Sequence, residues 1–213
     1  MPISSNLKAI QISLPKEVTL VAVSKTKPNT DILEAYHAGQ RIFGENKVQE
    51  LALKAEELPK DISWHMIGHL QTNKVKFIAP FTSLIHGVDS IKLLKEINKR
   101  AAQNNRTIDC LLQVHIATES TKFGFLLTEV EQVITESKTF ENIRIVGLMG
   151  MATFTDDTQQ IIQEFKNLST IFQSIKSTQI TILSMGMSGD YKIAIEQGST
   201  MVRVGSAIFG HRN

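Results

Sequence analysis

Lys25 follows the run Leu20-Val21-Ala22-Val23-Ser24, so its side chain emerges from an apolar stretch. Partial loss of water disfavours the ammonium and favours the free amine, the nucleophile that condenses with aldehydes. A lysine at such a place also has a plain structural use, with its stem along apolar surface and its charge kept in water. Two other segments have the residues of an anion site. Gly186-Met187-Ser188-Gly189-Asp190 and Arg203-Val204-Gly205-Ser206 combine close backbone approach at glycine with hydroxyl donors and one permanent cation. Ser206 is placed to cap a short following helix, and Ser188 to donate a second hydroxyl. Tight turns favour the same residue types, so neither segment alone separates a phosphate site from an ordinary connection. A reactive amine and a phosphate site in one cleft together select a phosphorylated aldehyde.

Other constellations carry less. His65 and His69 stand four apart, but no H-E-x-x-H accompanies them, so a zinc site is not expected. His37, His86, His115 and His211 are scattered and read as surface or satisfied core residues. Gly186-Met187-Ser188-Gly189 falls short of a G-x-S-x-G nucleophile elbow, with only His211 following as a base. Cys110 lies in the run Ile108-Asp109-Cys110-Leu111-Leu112 and reads as a buried core thiol.

The elements that would position these groups alternate along the chain. Apolar, β-branched runs occupy 18–24, 41–44, 63–67, 83–87, 108–116, 143–149, 181–185 and 201–204. Several are nearly continuously apolar, as parallel strands covered on both faces are. Between them lie stripes at three- and four-residue spacing, such as Ile91, Leu94, Ile97 and Ala101, or Ile161, Ile162, Phe165, Leu168 and Phe172. Asn29-Thr30-Asp31 reads as the cap of a helix over 32–38 that Gly39 ends, and Asp89 or Ser90 as the cap of the Ile91 stripe. With a short N-terminal helix near 5–12, the pattern predicts an α/β fold, a single (β/α)8 TIM-type barrel. An open doubly wound sheet has the same alternation. In a barrel, function gathers at the C-terminal strand ends, where Lys25, Gly44-Glu45-Asn46, His65 through Gln71 and the two glycine turns all fall.

The 23 basic and 21 acidic residues leave a formal net charge of +2, which gives no general attraction for nucleic acid or an anionic membrane. No linker-like block interrupts the chain, so one domain over residues 1–213 is expected. No signal-peptide pattern and no run of about 18 apolar residues is seen. With a single cysteine, these features point to the cytoplasm.

The segment Leu20 through Pro28 resembles the cofactor-lysine strand of the pyridoxal phosphate homeostasis protein family, relatives of the alanine racemase N-terminal domain. Further matches are Phe43-Gly44-Glu45-Asn46, Val48-Gln49-Glu50, Trp64-His65, Ile67-Gly68, Leu70 through Lys74 and Lys122-Phe123-Gly124. Gly147-Leu148-Met149, Leu183 through Ser188 and Gly198 through Gly205 complete a set that runs in order along nearly the whole chain. The resemblance implies pyridoxal 5′-phosphate held as a covalent aldimine, a Schiff base, by Lys25 rather than Lys27. It matches Arg203 to the arginine facing the pyridine nitrogen, and Ser188, Gly205 and Ser206 to phosphate-binding positions. It places Asn46 beside the cofactor and matches His65 and Met149 to the barrel mouth. Gly189 stands where an acidic or other polar residue is common, and the region before Lys25 is shorter than usual.

A guanidinium beside the pyridine nitrogen disfavours its protonation and weakens the ring as an electron sink, which argues against transaminase chemistry. Two-base racemisation needs a proton donor on each cofactor face. In alanine racemase the opposing tyrosine comes from a C-terminal domain. This chain ends at Asn213, just after the eighth strand, and neither Tyr36 nor Tyr191 has motif support for that role. The expectation is therefore a cytoplasmic, monomeric carrier that buffers pyridoxal phosphate, passes it transiently to apo-enzymes and affects amino-acid metabolism indirectly. A pyridoxal-phosphate-dependent amino-acid racemase is the alternative.

Overall fold

The apolar runs form eight parallel strands: β1 (Thr19–Val23), β2 (Ile42–Glu45), β3 (Ser63–Met66), β4 (Leu84–Val88), β5 (Ile108–Gln113), β6 (Ile143–Met149), β7 (Ile182–Met187) and β8 (Met201–Val204). They close into a barrel in sequence order, β8 pairing with β1 from Thr19↔Met201 to Ala22↔Val204. Closure excludes the open doubly wound sheet. The structure, a computed structural model, describes residues 2–118 and 123–210, so Lys122 and His211 lie outside them.

Nine helices are seen among the described residues. They are α1 (Ile3–Ser13), α2 (Asn29–His37), α3 (Val48–Glu57), α4 (Val75–Ile78), α5 (Ile91–Gln103), α6 (Val130–Ser137), α7 (Thr158–Ile175), α8 (Tyr191–Glu196) and α9 (Ser206–Phe209). The stripes face inward as their spacing predicts. Leu94, Ile97 and Ala101 of α5 and Ile161, Phe165, Leu168 and Phe172 of α7 are buried against the strands. A second, smaller apolar cluster fills the barrel itself, built on Val21, Leu84, Leu111, Val146, Met149 and Met201. No helix of the described residues is long and apolar enough to cross a membrane.

Local signals hold in part. Ser90 caps α5 by accepting from Leu93 N at 3.3 Å, and Gly39, at φ +101°, ends α2. The Asn29-Thr30-Asp31 segment is already helical, because Pro28, with its φ fixed at −69°, takes the cap position without a side-chain bond. Gly205 likewise takes the cap position of α9, so Ser206 begins that helix rather than capping it. The fifth strand ends at Gln113, and Val114 beyond it bridges to Phe125 and donates its N–H to Met149 O at 2.8 Å. Gly147 has no room for a side chain, since a Cβ there would strike the Ile182 carbonyl of the neighbouring strand.

One outward-facing cluster fixes the end of β1. Ser24 turns away from the barrel interior and donates from Oγ to Glu45 Oε1 at 2.6 Å. Lys54 of α3 reaches into the same place and donates to Ser24 O at 2.9 Å, Glu45 Oε1 at 2.8 Å and Glu50 Oε1 at 2.6 Å. Glu50 also accepts from Thr26 N at 2.6 Å, holding a non-glycine residue at φ +65°. Strand alternation then sends Lys25 to the opposite side from Ser24. The helix layer thus grips both neighbours of Lys25.

Burial raises the Glu45 carboxyl above its ordinary range, opposed by its bonds to Lys54 and Ser24. Lys54→Met removes the main opposition and strands the carboxylate, so we predict a loss of about 3–5 kcal/mol at neutral pH. In the variant the folded state holds the Glu45 proton more tightly than the unfolded chain does. The deficit against wild type should therefore narrow as pH falls toward the ordinary carboxylate range. Urea unfolding at several pH values measures both; a deficit independent of pH would place the cost elsewhere.

Candidate functional site

A cavity of about 820 Å³ opens at the C-terminal ends of the strands. Lys25, Asn46, Ser188, Arg203, Gly205 and Ser206 all line it, contributed by the ends of β1, β2, β7 and β8. His65 and Met149 do not. Both are buried on β3 and β6, and Ile67 and Met151, each two residues further along, line the cavity instead. Period-two alternation makes that substitution natural: the same inward face continues, one step nearer the mouth.

The turns after β7 and β8 are joined to each other. Ser188 Oγ accepts from Gly205 N at 3.1 Å, across the two turns that the glycine pattern singled out. Asp190 Oδ1 accepts from Met187 N at 2.5 Å, so the acidic residue of that motif closes its own turn and is absent from the cavity lining. A Cβ at Gly205 would lie 3.2 Å from both Val23 Cβ and Val23 O, which keeps this turn tight against the end of β1. Gly68 plays a similar part on the other side, where a Cβ would collide with the Asn46 backbone.

Arg203 is 4% exposed, yet it lines the cavity. Its Nη1 donates to Ser184 O at 2.9 Å and Ser184 Oγ at 2.6 Å, and its Nη2 donates to Gly150 O at 3.0 Å. Every one of these acceptors is neutral. Desolvation consequently lowers its pKa to about 10, with Asp190 opposing from a distance. Lys25 and Lys27 are both half-buried on the wall, and Lys27 Nζ donates to Phe209 O at 2.8 Å at the end of α9. No Asp or Glu is among the described lining residues. A protein with a net charge of +2 thus concentrates three cationic side chains around one cavity. Such a lining favours an anion and combines the Ser188 and Ser206 hydroxyls with an amine able to condense with an aldehyde.

Gln113, Met151 and Phe154 line the cavity and were not singled out by sequence. Gln113 is buried at the end of β5 and donates from Nε2 to Phe123 O at 2.7 Å. His69 stacks on Phe123 with centroids 4.6 Å apart, and Phe154 and Met187 complete an exposed apolar rim. Gln113 was legible in principle, as a polar residue ending an apolar strand. The rim was not, because its direction depends on loop conformation. Neither of the chain's two tyrosines lines the cavity: Tyr36 bonds to Asp61 at 2.8 Å on the outside, and Tyr191 is buried in α8. Cys110 is buried, and burial pushes its thiol far above the ordinary range, which removes it as a nucleophile. Among the described residues no group of three or more His, Cys, Asp or Glu could hold a metal ion.

Known proteins supply the context for this geometry. The family model described as alanine racemase, N-terminal domain, matches residues 2–213. The pyridoxal phosphate homeostasis protein of Vibrio alginolyticus is 41% identical over 206 residues, spanning 93% of this chain and 88% of its own. That of Aquifex aeolicus is 37% identical over 197 residues, 91% and 86% of the two chains. PipY of Synechococcus elongatus with PLP bound superposes with a TM-score of 0.87 at 33% identity, covering 98% of this chain and 100% of its own. Alanine racemase from Bartonella henselae, with covalently bound pyridoxal phosphate, has a TM-score of 0.79 at 16% identity over 99% of this chain and 58% of its own, which is a likeness of fold alone. By its full-length match to the family model and its identity to these relatives, the chain belongs to the alanine racemase N-terminal domain family, with the pyridoxal phosphate homeostasis proteins among its relatives.

Proposed function

We propose that this protein binds pyridoxal 5′-phosphate in the barrel-mouth cavity, holds it as a Schiff base on Lys25, and serves as an intracellular reservoir for it. The observation that carries this is the lining itself: Lys25, Lys27 and Arg203 without a single described carboxylate, beside hydroxyls and N–H groups at the β7 and β8 turns. Relatives named for pyridoxal phosphate homeostasis, and PipY with PLP bound, support the same ligand.

Each residue then has a task. Ser188 and Ser206 offer hydroxyls to the phosphate, Gly205 allows its close approach, and the Gly205 N–H donated to Ser188 Oγ keeps the two turns together. Lys25 supplies the amine, whose condensation with the aldehyde releases one water. Lys27, also on the wall, donates to Phe209 O at the end of α9. Arg203 keeps its positive charge toward the ring and disfavours protonation of the pyridine nitrogen. Asn46 lies on the wall beside them. When bound, the group would supply an electrophilic aldehyde and a conjugated ring.

Holding is favoured over racemisation because neither tyrosine reaches the cavity, so no tyrosine of this chain stands ready to exchange a proton opposite Lys25. In this reading the chain acts as a monomer in the cytoplasm and yields its cofactor to apo-enzymes in transient encounters. The exposed rim of Phe123, Phe154 and Met187 leaves the cavity open to exchange.

Purified wild-type protein should show a visible chromophore that borohydride reduces to a stable adduct. Lys25→Ala should lose the reducible adduct and Lys27→Ala should keep it. A reducible adduct that survives in Lys25→Ala would name the wrong lysine. Ser188→Ala should weaken pyridoxal 5′-phosphate binding about tenfold, the scale of one hydrogen bond to a charged group, and leave pyridoxal unaffected. Equal losses for both ligands in titration would remove the phosphate role. With L-amino acids in deuterated water, sustained α-proton exchange is not expected. Its appearance by NMR would restore the racemase reading.

A further inference from the structure

Barrels of this kind are ordinarily filled with branched aliphatic side chains. Here a polar chain crosses the interior. Arg203 on β8 donates from Nη1 to Ser184 Oγ on β7 at 2.6 Å, and His86 Nδ1 on β4 lies 3.1 Å from the same oxygen. His86 Nε2 is 3.0 Å from His65 Nδ1 on β3, and His65 Nε2 is 3.5 Å from Ser63 Oγ. Ser184 and His86 are fully buried, and His65 is 4% exposed. Of Arg203, Ser184, His86 and His65, only Arg203 lines the cavity.

Proton counting gives the chain a direction. A guanidinium only donates, so Ser184 Oγ accepts from Arg203 and keeps its own proton for His86 Nδ1. The His86 proton then sits on Nε2 and is donated to His65 Nδ1, and the His65 proton points from Nε2 toward Ser63. This assignment leaves no proton of the chain without an acceptor. It requires both imidazoles to be neutral. Burial holds them so: His65 is pushed down to about 3, and His86 lies well below its ordinary value, with His65 and Arg203 adding to the effect.

A carboxylate in place of Ser184 would also fix the guanidinium, but it would cancel the charge. The neutral chain fixes Arg203 and leaves its charge available to the cavity. We propose that Ser184 and His86, backed by His65, are positioning residues that hold Arg203 in one place on the cavity wall without neutralising it. This rests on the assignment of pyridoxal 5′-phosphate to the cavity.

The test uses the full-length chain loaded with pyridoxal 5′-phosphate, as wild type, His86→Leu, His86→Asn and Ser184→Ala. Leucine removes the acceptor of the Ser184 proton, whereas asparagine restores one. His86→Leu and Ser184→Ala should keep a borohydride-reducible chromophore, with its absorbance maximum shifted and release of the cofactor about tenfold faster. His86→Asn should return both toward wild type. A lower melting temperature in His86→Leu and Ser184→Ala with unchanged spectrum and release would overturn the proposal, as would His86→Asn behaving like His86→Leu. If His86→Leu does not fold, Ser184→Ala, which loses a single oxygen, gives the same readout. A wild-type chain with no chromophore would overturn the cofactor assignment and this proposal with it, whereas unchanged variants of a coloured wild type overturn this proposal alone.

Discussion

A guanidinium buried at the top of the barrel and given only neutral acceptors is the constraint around which the rest is arranged. Taking a charge out of water is costly, and a carboxylate partner is the usual remedy. Arg203 has carbonyls and a hydroxyl instead. The Asp190 carboxylate eases that charge in part, and an electron-rich or anionic group entering the cavity beside Arg203 would compensate it further. Lys25 and Lys27 stand on the same wall; among the described acidic residues nearby, Glu45 faces the helix layer, Asp190 closes its own turn and Asp89 pairs with His69. A cavity wall of that charge favours an anionic ligand.

Closure of the sheet makes this possible. Eight parallel strands bring every C-terminal end to one mouth, so residues as distant in sequence as Lys25 and Arg203 share a wall. The register between β1 and β8 sets Val21 beside Arg203 and Ala22 beside Val204. The two-residue alternation then divides labour at the end of β1. Ser24 faces outward into the Glu45–Lys54–Glu50 cluster, and Lys25 faces the cavity. Rigidity on one side of the strand becomes position on the other.

Much of this was legible in the residues. Hydrophobic runs and helical stripes gave the alternation of strands and helices, and sheet closure decided for the barrel over the open sheet. Lys25, Arg203 and the Ser188 and Gly205-Ser206 turns stood out as polar groups at strand ends. Three kinds of feature were hidden. The resemblance named Asn46, but that its neighbour Glu45 turns outward to Lys54 follows only from the alternation of the strand. His65 and His86 look like isolated histidines on separate strands, and their contact exists only because β3 and β4 are neighbours in a closed barrel. The rim of Phe123 and Phe154 depends on loop paths that no periodicity encodes.

In the proposed reading, Arg203 toward the ring and the absence of both tyrosines from the lining favour storage over catalysis, and the open apolar rim favours exchange. The most direct measurement is peptide mass mapping of the full-length protein after loading with pyridoxal 5′-phosphate and reduction with borohydride. The account predicts one stoichiometric pyridoxyl-phosphate adduct on the peptide containing Lys25, at that residue. An adduct at Lys27, or adducts scattered over surface lysines with Lys25 unmodified, would contradict it.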